Sequence, residues 1–146
     1  MELARQGMRS GAGGPFGAVV VRGGEIIGEG WNRVVADNDP TAHGEVTAIR
    51  DACSRLGDFR LTDCDIYTTG QPCPMCLGAI HWARISRIYY GFRIEDAATI
   101  GFDDREFFAE FTRSETERSI PAAPLIHEEA LQLISEYRDL PHKQHY

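Results

Sequence analysis

The chain has 146 residues, which suits one compact domain, and 42% of them are hydrophobic, enough for a sizeable core without a metal staple. No run approaches the roughly 18 apolar residues of a membrane span, and residues 1–7 carry no apolar signal core, so a cytoplasmic location is expected. The formal net charge is −7, Lys143 is the only lysine and no Lys/Arg run occurs, which argues against a nucleic-acid partner gripped by its phosphates.

Residues 1–7 read as a helix or a frayed end, and the glycines and proline of residues 10–15 mark a loop. Residues 16–21 read as a strand, 22–24 as a tight turn and 25–31 as the partner strand. From Thr41 the period changes to that of a helix. Val46, Ile49, Ala52, Cys53 and Leu56 fall on one stripe, Thr41 or Asp39 can cap it, and Gly57 stops it. Residues 65–69 form a short strand and 70–72 a loop. Pro74 then fits the first position of a helix that runs to about Arg84, and residues 87–92 form another strand. Beyond residue 95 the signal weakens: 105–113 looks helical, 124–127 reads as a last strand, 128–138 as an amphipathic helix and 141–146 as a tail. Strands and helices alternating in this way predict an α/β sandwich with at least one parallel pair, in a single domain over 1–146.

The chemistry lies in two short motifs, His43-Gly44-Glu45 and Cys73-Pro74-Met75-Cys76, each placed where a helix begins. One imidazole and two thiolates can hold one Zn²⁺ and leave its fourth position to water, as catalytic rather than structural zinc sites do. The positive end of a helix dipole favours thiolate there. A lone Cys-x-x-Cys is weak, because redox motifs and zinc knuckles share it; the combination is specific. His81 is a candidate fourth ligand by spacing, but packing on its helix suits it better. Zinc lowers the pKa of a bound water from about 15.7 towards 7, and Glu45, two residues beyond His43, can accept and relay the proton. H-x-E followed by P-C-x-x-C is the signature of zinc-dependent nucleobase deaminases. Cys53 and Cys64 are expected to be buried free thiols.

Five stretches carry a wider resemblance: Gly13-Gly14-Pro15-Phe16-Gly17-Ala18-Val19, Asn38-Asp39-Pro40-Thr41-Ala42-His43, Glu45-Val46-Thr47-Ala48-Ile49-Arg50, Pro72-Cys73-Pro74-Met75-Cys76-Leu77-Gly78-Ala79-Ile80 and Gly101-Phe102-Asp103-Asp104. On these the chain resembles the guanine deaminases of the cytidine/deoxycytidylate deaminase superfamily, from about Gly13 to Tyr146. The first four stretches are partly shared with tRNA adenosine deaminases and cytosine deaminases. The last one and the terminal tyrosine are more particular to the guanine branch.

The resemblance implies a three-layer α-β-α fold with a mixed central sheet and a zinc aminohydrolase acting on a free purine base. It makes Asn32 the residue that hydrogen-bonds the purine, Phe16 the ring stacked on it, Ala42 a further contact and Trp82 an aromatic wall of the pocket. Asp104 becomes the carboxylate that reads the guanine edge and assists departure of the amine. Tyr146 becomes the closing residue of a tail (about 139–146) that can be exchanged between the subunits of a homodimer. Gly44 stands where the family has alanine, widening the pocket floor, and Gln71 where it has glutamate. Two other readings share the motifs: a tRNA adenosine deaminase or a cytosine or triazine deaminase on the same zinc core, and a non-catalytic zinc-stabilised interaction module. The acidic balance weighs against a tRNA partner, and an intact Glu45 with no fourth ligand weighs against the module.

Overall fold

The computed structural model describes residues 1–145, and it divides them into two units, Met1–Phe108 and a second that begins at Ala109. In the first unit the order is α1 (Glu2–Arg9), β1 (Gly17–Arg22), β2 (Glu25–Trp31), α2 (Val34–Asp37), α3 (Gly44–Leu56), β3 (Cys64–Gly70), α4 (Pro74–Trp82), β4 (Arg87–Phe92) and α5 (Ile94–Ala98). The four strands form one mixed sheet in the order β2-β1-β3-β4. β1 is antiparallel to both neighbours, and β3 is parallel to β4 with α4 as the crossover.

Glycines decide how the layers close. On β2, Gly28 and Gly30 lie under α3: a Cβ on Gly30 would come within 2.3 Å of the Ala48 nitrogen, and one on Gly28 within 2.6 Å of the Ala48 oxygen. The side chain of Trp31 points the other way, and a Cβ on Gly7 of α1 would sit 2.5 Å from its ring. Since side chains alternate across a strand, α1 covers the face opposite α3. This is the expected α-β-α layering around a mixed sheet. The core between sheet and helices holds Val20, Leu61, Cys64, Ile66 and Cys76, all fully buried, with Ala48, Ala52 and Ile80.

Three expectations need correction. Of the stripe expected on α3, Ala52 is buried and Ile49 and Cys53 pack against the core, but the stripe also takes in Glu45 and Ala48, because small side chains fit against the β2 glycines. Leu56 is exposed. The helix begins at Gly44, so His43 is its N-cap, while Asp39 caps a turn by accepting from the Thr41 N–H and hydroxyl at 2.8 and 2.7 Å. Residues 124–127 form no strand. Pro121 and Pro124 remove donors that a ladder would need.

The second unit begins within α6 (Arg105–Thr112) and continues through a 3-10 turn (Glu115–Glu117) to α7 (His127–Asp139). Glu110 organises its start, accepting from the Ser119 N–H and hydroxyl at 2.7 and 2.6 Å. Tyr137 donates to the Gln144 carbonyl and Lys143 to the Arg138 carbonyl, turning the tail back along α7. Leu131, Leu133, Ile134 and Tyr137 of α7 are exposed.

Candidate functional site

The register of the sheet assembles the site. Gly17 pairs with Trp31 and Ala18 with Thr68, so the start of β1 lies beside the ends of β2 and β3. The loop before β1 therefore meets the segment after β2, where the Asn32 N–H donates to the Phe16 carbonyl at 2.8 Å. α3 and α4 both open onto this end of the sheet, at the carboxyl ends of the parallel strands where open α/β sheets bind ligands.

His43 and Cys73 hold equivalent positions, as N-caps of α3 and α4 in extended conformation. An N-cap side chain commonly bonds to its own helix, and neither of these does. Both instead turn to a common point. His43 Nδ1 lies 3.6 Å from Cys73 Sγ and 3.5 Å from Cys76 Sγ, and the three donor atoms lie within 4.8 Å of one another. Tetrahedral zinc, with bonds of about 2.3 Å to sulfur and 2.0–2.1 Å to nitrogen, requires nitrogen–sulfur edges of about 3.5–3.6 Å. The donor set fits zinc in type and in spacing. His81 is exposed and is no part of the group.

Glu45 is buried in the first turn of α3, and its Oε2 accepts from Cys76 Sγ at 3.4 Å. Burial raises its pKa. The Cys73 thiol is pulled down to about 4, chiefly by the hydrogen bond from Cys76 and further by His43, with burial opposing. Cys76, the donor of that bond, moves up. The contact with Cys73 raises His43. Asp104 is raised by burial and then by the charge of Cys73. Two carboxylates and two thiols thus crowd one point, and no Lys or Arg side chain lines the cavity beside it. A divalent cation would balance this arrangement.

The cavity has a volume of about 380 Å³. Phe16, Asn32, His43, Glu45, Cys73 and Asp104 line it; Cys76 is fully buried. Phe16 is held edge-to-face by Phe102 (centroids 5.0 Å apart, 84° between planes) and by Phe92 (5.7 Å, 62°). Asn32 Oδ1 accepts from the Val34 N–H at 3.2 Å, which fixes the amide and leaves Nδ2 as its donor. Asp103 is drawn away by Arg105, 2.5 Å from it, and held at a pKa of about 2, so Asp104 alone of the pair serves the cavity.

Other assignments fall elsewhere. Ala42 is buried next to His43 but does not line the cavity. Trp82, at the end of α4, is 61% exposed and also lies outside the lining, with Arg84 over its ring. Tyr146 lies outside the described residues. Gly44 does not widen the floor: it lets α3 approach β1, where a Cβ would come within 2.9 Å of the Phe16 oxygen. Gln71 does line the cavity. Val34, Val35 and Phe102 are lining residues without an assigned role; an apolar pair amid the polar residues after β2 was the only signal for the valines.

Residues 1–92 match the family model for the cytidine and deoxycytidylate deaminase zinc-binding region. The guanine deaminase of Bacillus subtilis (strain 168) is 49% identical over 144 residues, covering 99% of this chain and 92% of that protein. The X-ray structure of guanine deaminase from Bacillus subtilis superposes with a TM-score of 0.95 at 48% identity, covering 99% of this chain and 92% of the other. A tRNA-specific adenosine deaminase of Buchnera aphidicola (subsp. Schizaphis graminum) is 45% identical over 82 residues, 56% of this chain and 54% of that protein.

Proposed function

The chain belongs to the cytidine and deoxycytidylate deaminase family of zinc-dependent hydrolases, and we propose that it hydrolyses a free purine base, guanine, to xanthine and ammonia. One observation carries the choice of base: the likeness to a guanine deaminase extends over 99% of the chain, whereas the likeness to the tRNA-specific enzyme covers 56%.

His43, Cys73 and Cys76 would hold the zinc, which supplies Lewis acidity towards a water oxygen when bound. The remaining work falls to side chains of the chain itself. Phe16, braced by Phe92 and Phe102, offers its ring to the planar base. Asn32 Nδ2 donates to an acceptor on the purine. Asp104 accepts from the adjacent N1–H and amino donors of guanine, a pair that neither adenine nor cytosine presents. Glu45 takes one proton of the attacking water and gives it to the ring nitrogen beside the amino-bearing carbon, where the product keeps it, and then carries the second proton, from the hydroxyl added to that carbon, to the leaving amino group. Its raised pKa, from burial, suits a group that must hold that proton and release it. The water oxygen bonds to the amino-bearing carbon, the carbon–nitrogen bond breaks as the added hydroxyl gives up its proton and becomes the carbonyl, and ammonia leaves with that second proton.

The tail, with Tyr146, closes over the base once it is bound. Two such chains form a homodimer, which would cover the exposed apolar residues of α7. The free thiols Cys53 and Cys64 suit a reducing compartment, so we place the enzyme in the cytoplasm, and hydrolysis of guanine would place it in purine catabolism. Ammonia release over guanine, adenine, cytosine and their nucleosides tests the assignment. Guanine should be the preferred substrate, and preference for cytosine or for a tRNA stem-loop would overturn it.

A further inference from the structure

We propose that Thr69 is a positioning residue for the wall that receives the base; the proposal rests on the role given to Phe16 and Asn32 above. Thr69 is buried near the end of β3 and does not line the cavity. Its hydroxyl accepts from the Gly17 N–H at 3.0 Å and donates to the Pro15 carbonyl at 3.0 Å. Those two partners flank Phe16. The Phe16 carbonyl accepts from the Asn32 N–H, and the Phe16 N–H donates to the Gly14 carbonyl, both at 2.8 Å. One buried hydroxyl therefore fixes the chain on both sides of the stacking residue, and the backbone of that residue fixes the start of the asparagine segment.

The clip sits where the sheet stops doing this work. The β1–β3 ladder runs from Arg22↔Cys64 to Ala18↔Thr68. One residue further on, the Thr69 side chain takes the Gly17 N–H as β1 gives way to the loop. Thr69 also precedes Cys73 by four residues on the same segment. The spacing between the metal ligands and the plane of the base is thus set through one short stretch of chain. What the position requires is a hydroxyl that both accepts and donates. Serine meets that requirement; valine and alanine do not.

The experiment uses the full-length, zinc-loaded protein with Thr69→Ser, Thr69→Val, Thr69→Ala, Phe16→Ala and the double variant Thr69→Ala/Phe16→Ala. Steady-state kinetics are measured on the base that the parent turns over best, with zinc content measured alongside. Thr69→Val and Thr69→Ala should raise KM by about tenfold with kcat within about threefold, and Thr69→Ser should stay within about twofold of the parent. All should keep their zinc. The double variant should be no worse than Phe16→Ala alone, because both changes act on one element. A parental KM in Thr69→Ala beside a raised KM in Phe16→Ala overturns the role of Thr69 and leaves the reading of Phe16 standing. A parental KM in Phe16→Ala overturns that reading, and the proposal with it. Loss of fold or zinc in both hydroxyl-less variants, with Thr69→Ser intact, would make the hydroxyl purely structural and overturn the proposal as well.

Discussion

At the level of single residues, the site divides its labour between groups that hold a metal and a group that moves protons. Glu45 is buried beside Cys76 yet, among the described residues, belongs to no three-donor set, so replacing it should spare the metal. Glu45→Gln is expected to retain zinc and fold while kcat falls by about 10²–10⁴-fold. Near-parental turnover would assign the proton to another group. Cys73→Ser should instead lose most of its zinc on metal analysis, and full occupancy would remove Cys73 from the ligand set. Asp104→Asn should lower kcat/KM for guanine by about tenfold or more while leaving any adenine or cytosine turnover less affected. His43, Glu45, Cys73 and Cys76 were legible in the sequence because they lie in short motifs at helix starts, where local spacing fixes geometry, whereas Asp104 was reached only through the family resemblance. Trp82 was not legible. It lies six residues beyond Cys76, about one and two-thirds turns, which carries it round α4 away from the metal side. Nor did adjacency show that Arg105 would claim Asp103 and leave Asp104 to the cavity.

At the scale of elements, the site depends on how closely α3 lies on β2. Gly30→Ala would place a methyl group 2.3 Å from the Ala48 backbone nitrogen, with no flexible side chain to yield. It should cost about 1–3 kcal/mol in thermal or denaturant unfolding and weaken zinc retention, since His43 and Glu45 ride on that helix. Gly78 offers the opposite case. It lies within α4, and a Cβ there meets nothing within 4 Å. Gly78→Ala should raise stability by up to about 1 kcal/mol with unchanged zinc content. A loss of stability would reveal a contact absent from the single chain. The four strands and the two long helices of residues 16–92 were readable from period and turn chemistry. α2 and α5, of four and five residues, are too short to show a period. The stripe on α3 missed Ala48 and wrongly included Leu56, because hydrophobicity marked the larger side chains while the close approach of two backbones favoured the small ones.

At the scale of the whole molecule, the second unit presents apolar residues on α7 to its surroundings, which is the basis for the proposed dimer. Scattering or sedimentation should report twice the 16.3 kDa of one chain. Deleting Gln144, His145 and Tyr146 should leave a folded zinc protein whose kcat/KM for guanine falls while its melting temperature holds, because a closing tail adds little to a core. Full guanine activity in the truncated chain would remove the tail from the site. Removing the zinc by chelation should abolish activity and lower the melting temperature, since a ligand of the folded state stabilises it. The central claim is that this zinc site is built for guanine, and ammonia release from the zinc-loaded enzyme measures it directly. Xanthine and ammonia should appear in equal amounts, with kcat/KM for guanine about 10²-fold or more above that for adenine, cytosine or a nucleoside. Equal or faster turnover of cytosine, or of an adenosine within a tRNA stem-loop, would contradict it.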